Sequence, residues 1–150
     1  MAVDRSRSLS RIYTLGDLLV DSTFPDLADK LEPDTVALAN LGRLTALLDV
    51  ICEAFPPKFE VLSGFRDDTL NSACIEAGLP ASVKSLHLSG CAADIRPGAD
   101  VYTDSVWDWI EENAEKIGAH EAIFYPNKDF IHVAVADHDH PGPRRILMRT

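Results

Sequence analysis

The stretch SLHLSGCAADI, residues 85–95, places His87 and Asp94 seven positions apart. An imidazole nitrogen and a carboxylate oxygen are both good zinc ligands. A catalytic zinc site takes three protein ligands and leaves a fourth place for water. His132, in DFIHVAVA, is the natural third, a polar residue among apolar neighbours on a strand-like run. On one continuous strand an odd offset of seven would put His87 and Asp94 on opposite faces. A turn at Ser89–Gly90 brings both to one spot, and Gly90 tolerates the positive φ such a turn needs. Cys91, Ala92 and Ala93 are small and allow close packing there. Two plainer readings stand beside the metal site. A lone histidine on an apolar strand is more often a hydrogen-bonded core residue, and Asp94 can simply pair with Arg96 or Arg66. His138 and His140 alternate in DHDHPGP, a polar segment rich in Pro and Gly that reads as a solvated loop.

The elements that must position these residues follow from periodicity. Leu38, Leu41, Leu44, Leu48, Ile51 and Phe55 recur at three- and four-residue steps, which predicts a helix with one buried stripe. Asp34 or Thr35 caps it, and Pro56–Pro57 stops it. KFEVLSG reads as a strand with Phe59 and Val61 on one face, and Gly64 marks a tight backbone spot after it. DDTLNSACIEAG reads as a short helix capped by Asp67 or Asp68. Residues 85–95 are expected to be two short strands. DSVWDWIEENAEKIG predicts a second long helix, begun by Asp104 or Ser105 and ended at Gly118. EAIFYP and FIHVAVA read as a hairpin, and RRILMRT as a final edge strand. YTLGDLLVDST reads as a short helix or an extended lead-in. The polar, basic residues 1–12 are expected to form a loose arm before a single domain over 13–150. The expected class is α+β, a small central antiparallel sheet with helices packed against it.

The chain has 150 residues, 46% of them hydrophobic and 25% charged, enough for one domain with a real core. A formal net charge of −10 argues against nucleic acid and against anionic membrane surfaces as partners. No apolar run stands out as a membrane span, and no signal-peptide h-region is visible. The expectation is synthesis in a cytoplasm. Three widely spaced cysteines, Cys52, Cys74 and Cys91, form neither a disulfide framework nor a CxxC pair and read as buried free thiols.

SLHLSGCAAD resembles the SxHxxGxAxD motif of the zinc D-alanyl-D-alanine carboxypeptidase family at Ser85, His87, Gly90, Ala92 and Asp94. LSGFR resembles the family's SGYR segment, and Asn71 matches its asparagine. YTLGDLL and FIHVAV resemble the opening and closing segments of the subgroup found in phage and bacterial cell-wall peptidases. The resemblance covers nearly the whole chain. It implies an α+β fold with a central antiparallel sheet, and Zn2+ held by His87, Asp94 and His132. It places Arg66 at the developing oxyanion, and Ser85 beside the first ligand, in contact with substrate. The family's general base lies three residues before the last ligand, which is Asp129 here. An odd offset on a regular strand would turn Asp129 away from His132, so as the base it must lie at the hairpin end, where the backbone bends. The plainer reading of Asp129 is a turn residue of the hairpin, and Glu121 is the fallback base. The chain departs from the family at Asp67–Asp68, Leu86 and Ile131. The activity implied is hydrolysis of peptide bonds in bacterial peptidoglycan, at the cell wall after lysis or delivery. The alternative is a structural protein of a phage particle, assembled with other virion proteins, that keeps the fold and metal site without turnover.

Overall fold

The computed structural model describes residues 3–139 and 142–149. Helices α1 (Leu15–Leu18), α2 (Pro25–Ala28) and α3 (Thr35–Ala54) come first. They are followed by β1 (Glu60–Ser63), α4 (Asp68–Glu76), β2 (Ala92–Arg96), α5 (Thr103–Ile117), β3 (Glu121–Tyr125), β4 (Phe130–Ala134) and β5 (Arg145–Met148). The sheet order is β1-β2-β4-β3-β5. Every pairing is antiparallel except the last, in which β5 runs parallel to β3. The class is α+β, with a parallel edge strand on an otherwise antiparallel sheet.

The long helices form where their stripes predict. Asp34 caps α3 by accepting a hydrogen bond from the Ala37 amide at 2.8 Å. Leu41, Leu44, Leu48 and Ile51 are fully buried. By length and hydropathy α3 could cross a membrane, contrary to the sequence expectation of no such run. In the structure its stripe lies in the core, where each side chain contributes roughly 1.5–3 kcal/mol. Helix α5 begins at Thr103, one residue earlier than expected, and its N-cap Tyr102 makes no side-chain cap bond. Its Val106, Trp107, Ile110 and Ala114 are buried, and the Trp107 ring lies 5.7 Å from that of Phe124 on β3.

The sheet is two-faced, as period-2 alternation requires. Ala93, Ile95, Ala122, Phe124, Ile131 and Val133 are buried in the core. The residues between them, Asp94, Glu121, Ile123 and His132, therefore project from the other face.

Two expectations are corrected. Residues 3–12 are not a loose arm. The Arg5 guanidinium donates to the carbonyls of Leu19 (3.0 Å) and Ala28 (2.9 Å), and the Arg5 and Arg7 carbonyls accept from Gly16 and Leu15. Residues 85–95 are one strand, not two: Leu86–Ser89 is a 3₁₀ turn and only β2 is extended. Gly90 does sit at the reversal, with φ 78°.

Candidate metal centre

His87 stands on the 3₁₀ turn and is held from several sides. The Ser85 hydroxyl caps the turn by accepting from the His87 amide at 3.2 Å. The His87 carbonyl accepts from the Arg66 amide at 3.0 Å. Helix α3 presses on the turn from behind. Asn40 Nδ2 donates to the Ser89 carbonyl at 2.9 Å, and a Cβ at Gly90 would lie 2.7 Å from the Ala37 carbonyl oxygen. Glycine is therefore required there twice over, by backbone conformation and by space.

Asp94 and His132 face each other across the sheet, because β2 pairs with β4 in the register Asp94↔His132. Directly opposed side chains on one face lie within reach of each other. His87 Nε2 is 3.2 Å and His132 Nδ1 3.1 Å from the same oxygen, Asp94 Oδ1. The three candidate ligand atoms all lie within 4.8 Å of one another. The sequence-predicted triad is thus brought together, as a possible metal-binding group.

The remaining ring nitrogens show how well the set fits a metal. His87 Nδ1 lies 2.7 Å from the Gly64 carbonyl oxygen, and His132 Nε2 lies 2.9 Å from Glu121 Oε1. Each acceptor holds an N–H on its side of the ring, which leaves the other nitrogen's lone pair for a metal. Metal-ligating histidines are oriented in this way by carbonyl or carboxylate partners. Gly64 can offer its carbonyl because the chain there runs hard against α1. A Cβ on it would lie 2.1 Å from the Leu18 carbonyl oxygen.

Glu121 is set by the hairpin register. Ile123 pairs with His132, so Glu121, two residues away on the same face, is a diagonal neighbour of His132. Its second oxygen accepts from Arg145 Nε on β5 at 3.0 Å. Asp129 does not join this group. It ends the 3₁₀ turn Pro126–Lys128 at φ 55°, accepts from the Thr103 hydroxyl at 2.6 Å, and faces Arg96 at 3.7 Å. Its side chain is 64% exposed. An odd offset from His132 sends it off the site, so the carboxylate beside the triad is Glu121.

Arg66 is 3% exposed and pairs with neither Asp67 nor Asp68. Its guanidinium donates to Ser63 Oγ (3.0 Å), Asn71 Oδ1 (3.3 Å) and Asp94 Oδ2 (3.5 Å). Ser63 in turn donates to the buried Asp21 at 3.0 Å. A buried relay Asp21–Ser63–Arg66 therefore backs the outer oxygen of Asp94. Sequence reasoning missed Asp21, Ser63 and the Gly64 carbonyl. A bulge between Val61 and Ser63 aligns Ser63 with Asp94, and nothing in the local sequence announces it. Cys52, Cys74 and Cys91 are free and buried. Cys91 Sγ lies against the Ala136 carbonyl at 3.9 Å, outside the triad. His138 is exposed, whereas His140 and Pro141 lie outside the described residues.

Charge follows from this geometry. Burial pushes the His87 imidazole down, and its residual attraction to Asp94 does not restore it. Burial also opposes charge on His132, but hydrogen bonds to Asp94 and Glu121 outweigh it and raise the imidazole to about 9. Glu121 is lowered to about 2, since His132 and Arg145 overcome its partial burial. Burial opposes charge on Asp94, but its attraction to the neighbouring histidines and its hydrogen bond with His132 hold it far below the ordinary carboxylate range. The metal-free centre is thus a His132 ring that favours its proton between two carboxylates, with His87, disfavoured as a cation by burial, beside Asp94.

The centre opens into a groove of ≈ 920 Å³. The segment Pro80–His87 lines it, together with residues of β3, β4 and β5 and the Pro126–Lys128 turn. His87, His132, Glu121 and Ser85 all reach its surface. No family model matches the chain, and no curated protein matches it.

Proposed function

We propose that the chain is a zinc peptidase of the D-alanyl-D-alanine carboxypeptidase type, acting on peptides of bacterial peptidoglycan. One observation carries this reading. Two histidines, each with its second nitrogen already held by an acceptor, converge with a buried carboxylate at a groove that also presents Glu121. Two imidazoles and one carboxylate are a donor set suited to catalytic zinc. The residues that supply it also carry the SxHxxGxAxD resemblance.

His87 Nε2, His132 Nδ1 and Asp94 would hold the ion. When bound, it supplies Lewis-acid polarisation of a peptide carbonyl and of water. The chain's own residues do the rest. Glu121 is the one carboxylate among the described residues lining the groove. To take the proton of the attacking water and return it to the leaving amine, it would give up its hydrogen bond to His132 or to Arg145. It also orients His132. Arg66 and Asn71 lie behind the ligands, so Arg66 acts as a positioning residue for Asp94. Ser85 caps the turn that carries His87 and lines the groove wall, where the peptide would pass.

The experiment is release of soluble muropeptides from purified sacculi by the intact chain. Release should stop with a chelator and return with added zinc. A folded, zinc-loaded protein inert on every sacculus tried would overturn the reading and favour the non-catalytic virion component.

A further inference from the structure

The groove carries a charge opposite to that of the chain. Of 14 Lys and Arg residues, Lys84, Lys128, Arg145 and Arg149 line it; of 24 Asp and Glu residues, only Glu121 does. A chain of net charge −10 would be expected to show the reverse balance on an ordinary patch of surface. Arg145 is committed to Glu121. Lys84, Lys128 and Arg149 are exposed and form no ion pair among the described residues. Three solvated cations are therefore available to a ligand. They come from separate segments: the loop before His87, the hairpin turn, and the end of β5.

We infer that the groove selects peptides with free internal carboxylates, read by Lys84, Lys128 and Arg149, over the same peptides with those carboxylates amidated. The inference rests on the peptidase reading for the choice of peptide. Size and field favour a short acidic peptide over a long polyanion. A polyphosphate or nucleic acid would run out of the groove onto a surface whose net charge repels it, within a Debye length of about 8 Å at physiological salt. A peptide with one or two carboxylates places its charge inside.

The test is calorimetric titration of the zinc-free chain, so that no ion captures a carboxylate. The probes are L-alanyl-γ-D-glutamyl-L-lysyl-D-alanine and its analogue amidated only at the glutamyl α-carboxylate. The free acid should bind about 2- to 5-fold tighter, the range for an exposed ion pair. Raising salt should shrink the gap. The triple variant Lys84→Gln/Lys128→Gln/Arg149→Gln should bind both peptides alike, while Lys116→Gln, on α5, should leave the preference intact. Equal affinity of the wild type for the two peptides, or binding of neither, overturns the inference. So does inorganic polyphosphate that competes as well as the acid peptide. A chain that prefers the acid yet cleaves no sacculus would retain the binding preference and lose the peptidase reading instead.

Discussion

Replacing Glu121 by Gln separates the two carboxylates considered as the base and tests how the centre is tuned. In the metal-free chain His132 is raised from 6.5 to about 9. At about 1.4 kcal/mol per pH unit this is roughly 3 kcal/mol of net attraction to the protonated ring, after the opposing cost of burial. Asp94 and Glu121 share it, at 3.1 and 2.9 Å. Glu121, lowered from 4.5 to about 2, shows the same coupling from its own side, in part owed to Arg145. An equal share gives Glu121 on the order of 1–2 kcal/mol, or about one pH unit. Because the folded value lies above the ordinary one, this stabilisation is fully present below pH 6.5 and is lost as pH rises through about 9. Zinc must displace that proton, so apparent affinity should rise about tenfold per pH unit between neutrality and 9. In Glu121→Gln the rise should stop about one pH unit earlier. The plateau affinity should also be about 10-fold weaker, as for other lost partners of a ligating histidine. Asp129→Asn should match the wild type, since Asn tolerates positive φ and still accepts from Thr103. The assay is zinc titration against a competing chelator across this pH range, with the His132 ring followed by NMR. A Glu121→Gln profile that superimposes on the wild type, or a shifted Asp129→Asn profile, would refute the reasoning.

His87→Ala should reduce bound zinc from one ion per chain to none, read by metal analysis after dialysis. Arg66→Ala removes the buried partner of Asp94 and should destabilise the metal-free chain by about 3–5 kcal/mol in urea, with a smaller loss when zinc is present. Arg66→Lys should rescue only part, because an ammonium cannot reproduce the planar fork that meets Ser63, Asn71 and Asp94. Gly64→Ala should cost about 1–3 kcal/mol through its clash with the Leu18 carbonyl and should also weaken zinc binding, since the displaced carbonyl holds His87.

What could be read from the sequence, and what could not, divides along physical lines. Helices α3 and α5 were legible because a 3.6-residue period persists over 15 residues or more. The triad was legible because ligand side chains stand out among apolar neighbours. The 3₁₀ turn was not: Leu86 to Ser89 alternates apolar and polar residues as a strand does, and its cap is one serine hydroxyl. Glu121 required the hairpin register. Counting across the Pro126–Asp129 turn pairs Ile123 with His132, and parity then puts Glu121 on the ligand face and Asp129 off it. That signal was available in principle. The surroundings of Arg66 were not, because Asp21, Ser63, Asn71 and Asp94 meet only after four separate segments have packed.

The centre is assembled from remote parts of the chain. Gly64, His87, Asp94, Glu121 and His132 converge only once β1, β2, β3 and β4 have paired. Of the triad, an unfolded chain brings only His87 and Asp94 together within a short loop; the third ligand lies 38 residues on and must wait for β4 to dock. Long-range strand pairing is the slow kind of folding event. Capture of the ion is therefore a late step, and a complete ligand set reports that the sheet has closed. Once bound, the ion stabilises the folded chain by mass action, the more so the higher its concentration above the dissociation constant. Metal binding and the stability of the sheet are in this way coupled, and a chelator lowers the stability of the fold as well as removing its chemistry.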